Sequence, residues 1–287
     1  MTGRNTYPVI MTIAGSDSGG GAGIQADLKT MTLLGGFGIS AITALTAQNG
    51  EGVRAIHAPD PEFMATQLAA LLEGFPVAAA KTGMLFSAPL IEVVANSLHG
   101  KTFPLVVDPV AVSQSGHKLL REDAFSALVA RMLPLADLLT PNGPEAEALT
   151  GMPLNTPDDI AAASCALMDM GAKAVLLKGG HLPLADRGDI MVDWLCLPGS
   201  APLELPHAKI ATSNNHGTGC TLSAAIATFL GLGLSLENAV VRAQQYLTAG
   251  LATSFAPGRG CGPTNFVAGA ASVNDFPLVR QDTSKQQ

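Results

Sequence analysis

Basic charge is the first thing this chain lacks. Sixteen lysines and arginines against 23 acids leave a net charge of −7 over 287 residues, with only 14% charged. A broad basic footprint for nucleic acid or an anionic membrane is therefore excluded, and small molecules become the expected partners. Aromatics are scarce at 5% while hydrophobic residues reach 47%, a balance that suits an interior of Ala, Val, Leu and Ile shared by sheet and helices. The four cysteines, Cys165, Cys196, Cys220 and Cys261, form no CxxC pair and have no histidine at zinc spacing, which removes a structural zinc site and fits a reducing, cytoplasmic setting. The apolar run 9–14 leads straight into a glycine loop and lacks the length and context of a signal peptide. Between His216 and Glu237 the chain is charge-free, yet Gly231, Gly233 and several hydroxyls interrupt it, so it reads as a buried helix and not a membrane span. No repeat or low-complexity block divides the chain, which reads as one domain over residues 1–276 followed by a polar tail over 277–287.

What is present is an alternation of short apolar runs and amphipathic stretches. Residues 7–14, 38–48, 77–84, 105–110, 138–142 and 174–181 read as strands. Residues 24–34, 61–72, 88–98, 122–135, 158–170 and 236–255 read as helices, with further helices opened by Pro144-Glu145 and from Thr218. Asp27 and Lys29 fall on the outward face of the first helix. Runs 189–197 and 203–211 alternate more strictly and predict an antiparallel pair at a sheet edge. The sum is an α/β fold, a doubly wound three-layer sandwich with a mostly parallel central sheet and an antiparallel edge. Ligands of such sheets bind beyond the carboxyl ends of the strands, and Asp17, Gln48, Met84, Asp108, Asn142, Glu145 and Lys178 all fall there.

Two glycine-rich turns stand out. In the first, over residues 15–23, Gly21-Ala22-Gly23-Ile24-Gln25-Ala26 fits the G-x-G-x-x-A pattern of dinucleotide sites. The next strand, however, ends in Thr46-Ala47-Gln48-Asn49, amides suited to a neutral heterocycle, with no acid for a ribose. No Walker sequence occurs either. The second turn is His216-Gly217-Thr218-Gly219-Cys220-Thr221, where two glycines let backbone N–H groups converge at the start of a helix, making an anion cradle.

Cys220 lies inside that cradle as an inert buried thiol or an activated one. Bringing a thiol from ~8.5 to neutrality takes roughly 2 kcal/mol, whereas a helix end supplies about 0.3–1 kcal/mol. Magnesium or Lys178 would have to add to it, so the sequence leaves the ionisation open. Asp108 and Glu145 are candidate Mg²⁺ ligands, directly or through water, and equally a strand-end turn residue and a first-turn helix charge. Lys178 ends an apolar strand, where a phosphate contact is expected.

Collectively the chain resembles the hydroxymethylpyrimidine/phosphomethylpyrimidine kinases of thiamine biosynthesis, within the ribokinase-like superfamily. The matching segments run from Thr12-Ile13-Ala14-Gly15-Ser16-Asp17 and the 20–29 stretch through Thr46-Ala47-Gln48-Asn49, Lys81-Thr82-Gly83-Met84, Val107-Asp108-Pro109-Val110, Thr140-Pro141-Asn142 and Lys178-Gly179-Gly180-His181 to residues 216–221. The resemblance implies that ATP, with Mg²⁺, phosphorylates the hydroxymethyl group of 4-amino-5-hydroxymethyl-2-methylpyrimidine and then its monophosphate. By the same resemblance Cys220 deprotonates or orients the alcohol, and the backbone of Gly217, Thr218, Gly219 and Cys220 stabilises the transferring phosphoryl. Gln48 reads the pyrimidine edge, with Gly15, Asp27, Met84 and Val110 around the ring. Asn142, Lys178 and Asn214 serve ATP, and Asp108 and Glu145 the metal. Partners are then the pyrimidine and ATP, with a homodimer as an allowed assembly. A pyridoxal kinase of the same superfamily is the alternative, ahead of an NAD-dependent dehydrogenase or a non-catalytic nucleotide-binding protein. Asp17-Ser18-Gly19, Ala111, Gln114 and Cys261 depart from the family's usual residues and bear on loop closure and the second phosphorylation.

Overall fold

Each central strand alternates between two cores. The computed structural model describes residues 7–110 and 122–273; the expected tail over 277–287, the domain limit at 276, Ala111 and Gln114 lie outside the described residues. In β1 (Val9–Asp17), Val9, Met11 and Ile13 enter one apolar cluster and Ile10 the other. The same alternation recurs in β4 (Val77–Thr82), β5 (Leu105–Val107), β6 (Leu138–Leu139) and β7 (Val175–Leu177), where Ala79, Val106, Leu138 and Leu176 face one way and Ala80, Val107, Leu139 and Leu177 the other. A strand apolar on both faces must be covered on both.

Helices supply the cover. One cluster takes in α2 (Pro61–Gly74), α3 (Ala88–Ser97), α4 (Glu122–Ala127), α5 (Gly143–Thr150) and α6 (Pro157–Asp169). The other takes in α1 (Gly23–Leu33), α7 (Thr218–Gly231), α8 (Leu236–Ala252) and α9 (Phe266–Ser272). The charge-free run after His216 is thus a core helix, buried throughout from Thr221 to Phe229. No helix among the described residues is long and apolar enough to cross a membrane.

With β2 (Phe37–Asn49), β3 (Gly52–His57), β8 (Ile190–Cys196) and β9 (Leu203–Ala208), the described residues form a nine-stranded sheet in the order β3-β2-β1-β4-β5-β6-β7-β8-β9. The strands from β2 to β7 run parallel, and β8 and β9 give the expected antiparallel edge. The chain winds outward from β1 to β2 and returns across it to β4, so the topological switch, the usual place of a ligand in such sheets, lies beside β1.

Some local expectations are corrected. The opposite edge also carries an antiparallel strand, β3, missed because it is mostly exposed and shows no buried alternation. β1 runs on to Asp17 through a register shift after Ala14, whereas the strands expected to reach Val110 and His181 stop at Val107 and Leu177. The helix expected over 122–135 loosens into wider turns after Ala127 and tightens at Pro134, which has no N–H to continue the ladder. The short, Ala- and Gly-rich α9 was not foreseen.

Candidate active site

Asp17 closes β1 and organises the first glycine loop. Its Oδ1 accepts the Gly19 N–H at 2.8 Å, and its Oδ2 accepts those of Gly21 at 3.0 Å and Ala22 at 2.9 Å. His216 Nε2 reaches the same Oδ2 at 2.8 Å from the second turn. Burial opposes ionisation of Asp17, but the bonds from His216, Ala22 and Gly19 outweigh it and hold the carboxyl below its usual range. Glycine at 217 is dictated by space as well as conformation: it stands at φ 77°, and a Cβ there would sit 2.0 Å from the Gly21 carbonyl oxygen.

The second turn keeps its donors. Thr221 N–H bonds back to Gly217 O and Thr218 N–H to Asn215 O. The N–H groups of Gly219 and Cys220, within the first turn of α7, have no backbone acceptor among the described residues. Facing them are Asp108 and Lys178: a Cβ on Gly219 would lie 3.3 Å from Asp108 Oδ2 and 3.6 Å from Lys178 Nζ. Lys178 Nζ donates to Asp108 Oδ1 at 3.0 Å, and the Thr140 hydroxyl bonds that oxygen at 3.2 Å. Burial would depress the Lys178 ammonium, yet Asp108 and Glu145 together raise it, so both carboxylates act on one cation.

Glu145 also holds the start of α5. Its Oε2 accepts the Asn142 N–H at 2.8 Å while Asn142 Oδ1 accepts the Glu145 N–H at 2.9 Å, a reciprocal cap. Of the two alternatives for Glu145, Mg²⁺ ligand and first-turn helix charge, the cap shows the second.

The ionisation of Cys220, which the sequence leaves open, takes a direction in the structure. The helix N-terminus does not win: burial pushes the thiol up to about 11, against the opposing pull of Lys81, with Asp27 and Asp108 raising it further and a hydrogen bond from the Gly23 N–H lowering it. The thiol is protonated at neutral pH. Lys81 was missed as a site residue. It is fully buried and bonds Asp27 at 3.1 and 3.2 Å, while the Thr12 hydroxyl donates to Asp27 at 2.6 Å. Burial alone would lower the Lys81 ammonium, but Asp27, Cys220 and Asp108 outweigh it. Asp27, expected outward and then around the ring, has no exposed surface; it underlies the site as the counter-ion of Lys81. The signal was legible, since a lysine inside the apolar run of β4 must find a buried partner.

On the heterocycle side, Gln48 lies at the end of β2, with its Oε1 accepting from Thr46 Oγ1 at 3.0 Å and its Nε2 3.4 Å from His216 Nε2. Met84 is buried and its Cε would lie 2.4 Å from a Cβ on Gly15, so glycine there makes room for the thioether. Val110 stands at φ 28°, a strained backbone for a β-branched residue, just beyond Asp108. Asn214 is tied down: its Oδ1 accepts the Gly262 N–H at 3.0 Å. Cys261 caps the same crossing, its Sγ lying 2.8 Å from Ser213 O.

A glycine turn at a helix start that meets a carboxylate and a lysine beyond the carboxyl ends of parallel strands suits a ribokinase-like phosphotransferase, and the fold places the chain in that class. The sequence profile of the phosphomethylpyrimidine kinase family matches residues 17–265. The chain is 47% identical over 257 residues to the hydroxymethylpyrimidine/phosphomethylpyrimidine kinase of Haemophilus influenzae, covering 89% of this chain and 95% of that one. It is 48% identical over 267 residues to the thiamine biosynthesis bifunctional protein ThiED of Geobacter sulfurreducens, covering 93% of this chain but 54% of that protein, so it spans about half of that relative. Among solved structures, the ADP complex of Bacillus subtilis pyridoxal kinase superposes with a TM-score of 0.82 at 35% identity, covering 92% of this chain and 98% of that one. The chain belongs to the hydroxymethylpyrimidine/phosphomethylpyrimidine kinases, a family of phosphotransferases.

Proposed function

We propose that the protein transfers the γ-phosphoryl group of ATP to the hydroxymethyl oxygen of 4-amino-5-hydroxymethyl-2-methylpyrimidine, and then a second phosphoryl to the monophosphate, as a step of thiamine biosynthesis. The observation that carries the reading is the pair of uncommitted N–H groups on Gly219 and Cys220 facing Lys178 and Asp108. In the transfer the alcohol oxygen bonds to phosphorus, the bond from phosphorus to the ADP oxygen breaks, and the alcohol proton leaves. Such a step asks the protein mainly for position and charge stabilisation. The backbone of Gly217 to Cys220 and the Lys178 ammonium stabilise the charge on the phosphoryl oxygens. Asn142 and Asn214 border the nucleotide, and Gln48, Gly15, Met84 and Val110 border the ring.

Cys220 sits beside the reacting alcohol. With its thiol pushed up to about 11, it orients the hydroxyl as a neutral group before transfer; the charge of Lys81 favours the ionised minority of Cys220, which takes the alcohol proton as the oxygen bonds to phosphorus and passes it to water afterwards. Asp108 and Glu145, two carboxylates acting on one lysine, are the residues that would hold Mg²⁺, directly or through water. Bound there, Mg²⁺ would neutralise phosphate charge.

A second reading, pyridoxal kinase, draws on the superposition with the Bacillus subtilis enzyme. One assay separates them: ADP release with Mg-ATP and, in turn, the pyrimidine, its monophosphate, pyridoxal and ribose. Turnover of the pyrimidine and its monophosphate is expected; turnover of pyridoxal alone overturns the first reading in favour of the second.

A further inference from the structure

The two glycine turns are held together by one carboxylate. Asp17, 3% exposed, takes four N–H donors, three from its own loop and one from the His216 ring. A carboxylate accepts and does not donate, so the hydrogen between Asp17 Oδ2 and His216 lies on Nε2. Around this bond the loops touch without side-chain room: a Cβ on Gly21 would lie 2.6 Å from His216 Cδ2, and one on Gly217 would lie 2.0 Å from Gly21 O. The end of the first loop also reaches the thiol, through the Gly23 N–H to Cys220. The His216 ring in turn lies 3.4 Å from the Gln48 amide.

We propose that Asp17 and His216 are positioning residues for phosphoryl transfer: their bond fixes the distance between the ring pocket, framed by Gly15 and Gln48, and the phosphoryl turn that begins at Gly217. The inference rests on the kinase reading. Neither residue need touch substrate; each acts through the loop it holds. Asparagine cannot replace Asp17, because its single carbonyl oxygen serves one side of the donor set while its NH₂ abuts the other. At 216 the requirement is a donor at the reach of Nε2. Glutamine supplies one, phenylalanine keeps the ring without it, and asparagine is polar but too short.

The test compares His216→Phe, His216→Asn and His216→Gln in the full chain, by kcat, by KM for pyrimidine and ATP, and by amide hydrogen exchange over residues 17–23. His216→Phe and His216→Asn should lose about 100-fold in kcat, the scale of an ångström of misplacement, with KM for ATP within about twofold and faster exchange at Gly21 and Ala22. His216→Gln should recover most of the rate and slow the exchange again. If His216→Phe fails to fold, the contrast of Asn with Gln decides. Wild-type kcat in the Asn variant, or a Gln variant as slow as Asn, overturns the proposal. An unaltered wild type that phosphorylates nothing in the substrate panel while exchange still responds to the variants removes the kinase reading and, with it, the catalytic role of the clasp, leaving only a structural contact.

Discussion

The two glycine turns look alike as sequence and differ in what fills them. Both open a helix and both are rich in glycine. In the first, Asp17 occupies the concavity with its own carboxylate and consumes the N–H groups of Gly19, Gly21 and Ala22. In the second, the turn contains no acidic residue, and the N–H groups of Gly219 and Cys220 have no backbone acceptor among the described residues. A cradle already holding an anion repels a pyrophosphate, which is why the G-x-G-x-x-A match does not make a dinucleotide site. What separates the turns is whether an acid consumes the N–H groups: Asp17 does so in the first, whereas Asp108, which faces the second, is paired with Lys178.

The largest effect expected from breaking this contrast is at the open turn. Cys220→Ala should lower kcat on the order of 10³-fold, the range of a positioned proton-handling group, with little change in either KM. Steady-state kinetics on both substrates checks it, and an unchanged kcat removes Cys220 from the chemistry. Next is the buried support under that turn. Lys81→Met leaves Asp27 buried without its cation and should destabilise the fold by about 3–5 kcal/mol. In the double variant Asp27→Asn with Lys81→Met no charge is orphaned, and urea denaturation should return much of the loss; additive losses would show that the pair is not coupled.

The pH dependence sharpens the same point. A free thiol with a value of 9.0 loses its proton well before Cys220, which holds it to about 11. Between those values the unfolded chain binds fewer protons than the folded one, so stability contributed by Cys220 is present below pH 9 and falls as pH rises towards 11. At pH 8 the thiolate population should be about 100-fold below that of the unfolded chain. Peptide-resolved alkylation with iodoacetamide, comparing Cys220 before and after unfolding, measures it; equal rates would mean that the helix start offsets burial after all.

How much of this was legible depended on whether a residue's role is local. The parallel sheet, its order of strands and helices and the edge formed by β8 and β9 follow from apolar periodicity, a property of neighbours in sequence. The meeting of Asp108 and Lys178 was legible for the same reason, since strand ends converge in any doubly wound sheet. Asp27 was misjudged because helical spacing cannot know that Lys81, 54 positions on, lies buried against it. The ionisation of Cys220 was beyond the sequence too, since desolvation depends on everything packed around the thiol. The Asp17 to His216 bond spans 199 positions, and only the fold brings those loops together. β3 was missed because exposed strands carry no burial pattern to read.

The smallest effect belongs to the residue with the most direct claim on the substrate. Gln48 is fixed from its backbone, where Ser18 Oγ donates to its carbonyl at 2.7 Å and accepts its N–H at 2.8 Å. Its side-chain oxygen already accepts from Thr46 and its nitrogen lies against His216. Under the proposed function a pyrimidine edge would meet an amide that is partly engaged, and would exchange water for one or two neutral hydrogen bonds, each worth about 0.5–1.5 kcal/mol net. Gln48→Ala should raise the pyrimidine KM roughly tenfold and leave KM for ATP unchanged, because the contact is made equally before and during transfer. If kcat falls instead, Gln48 acts through His216 on the phosphoryl turn, and the boundary between the two loops lies closer to the ring than the contrast between them implies.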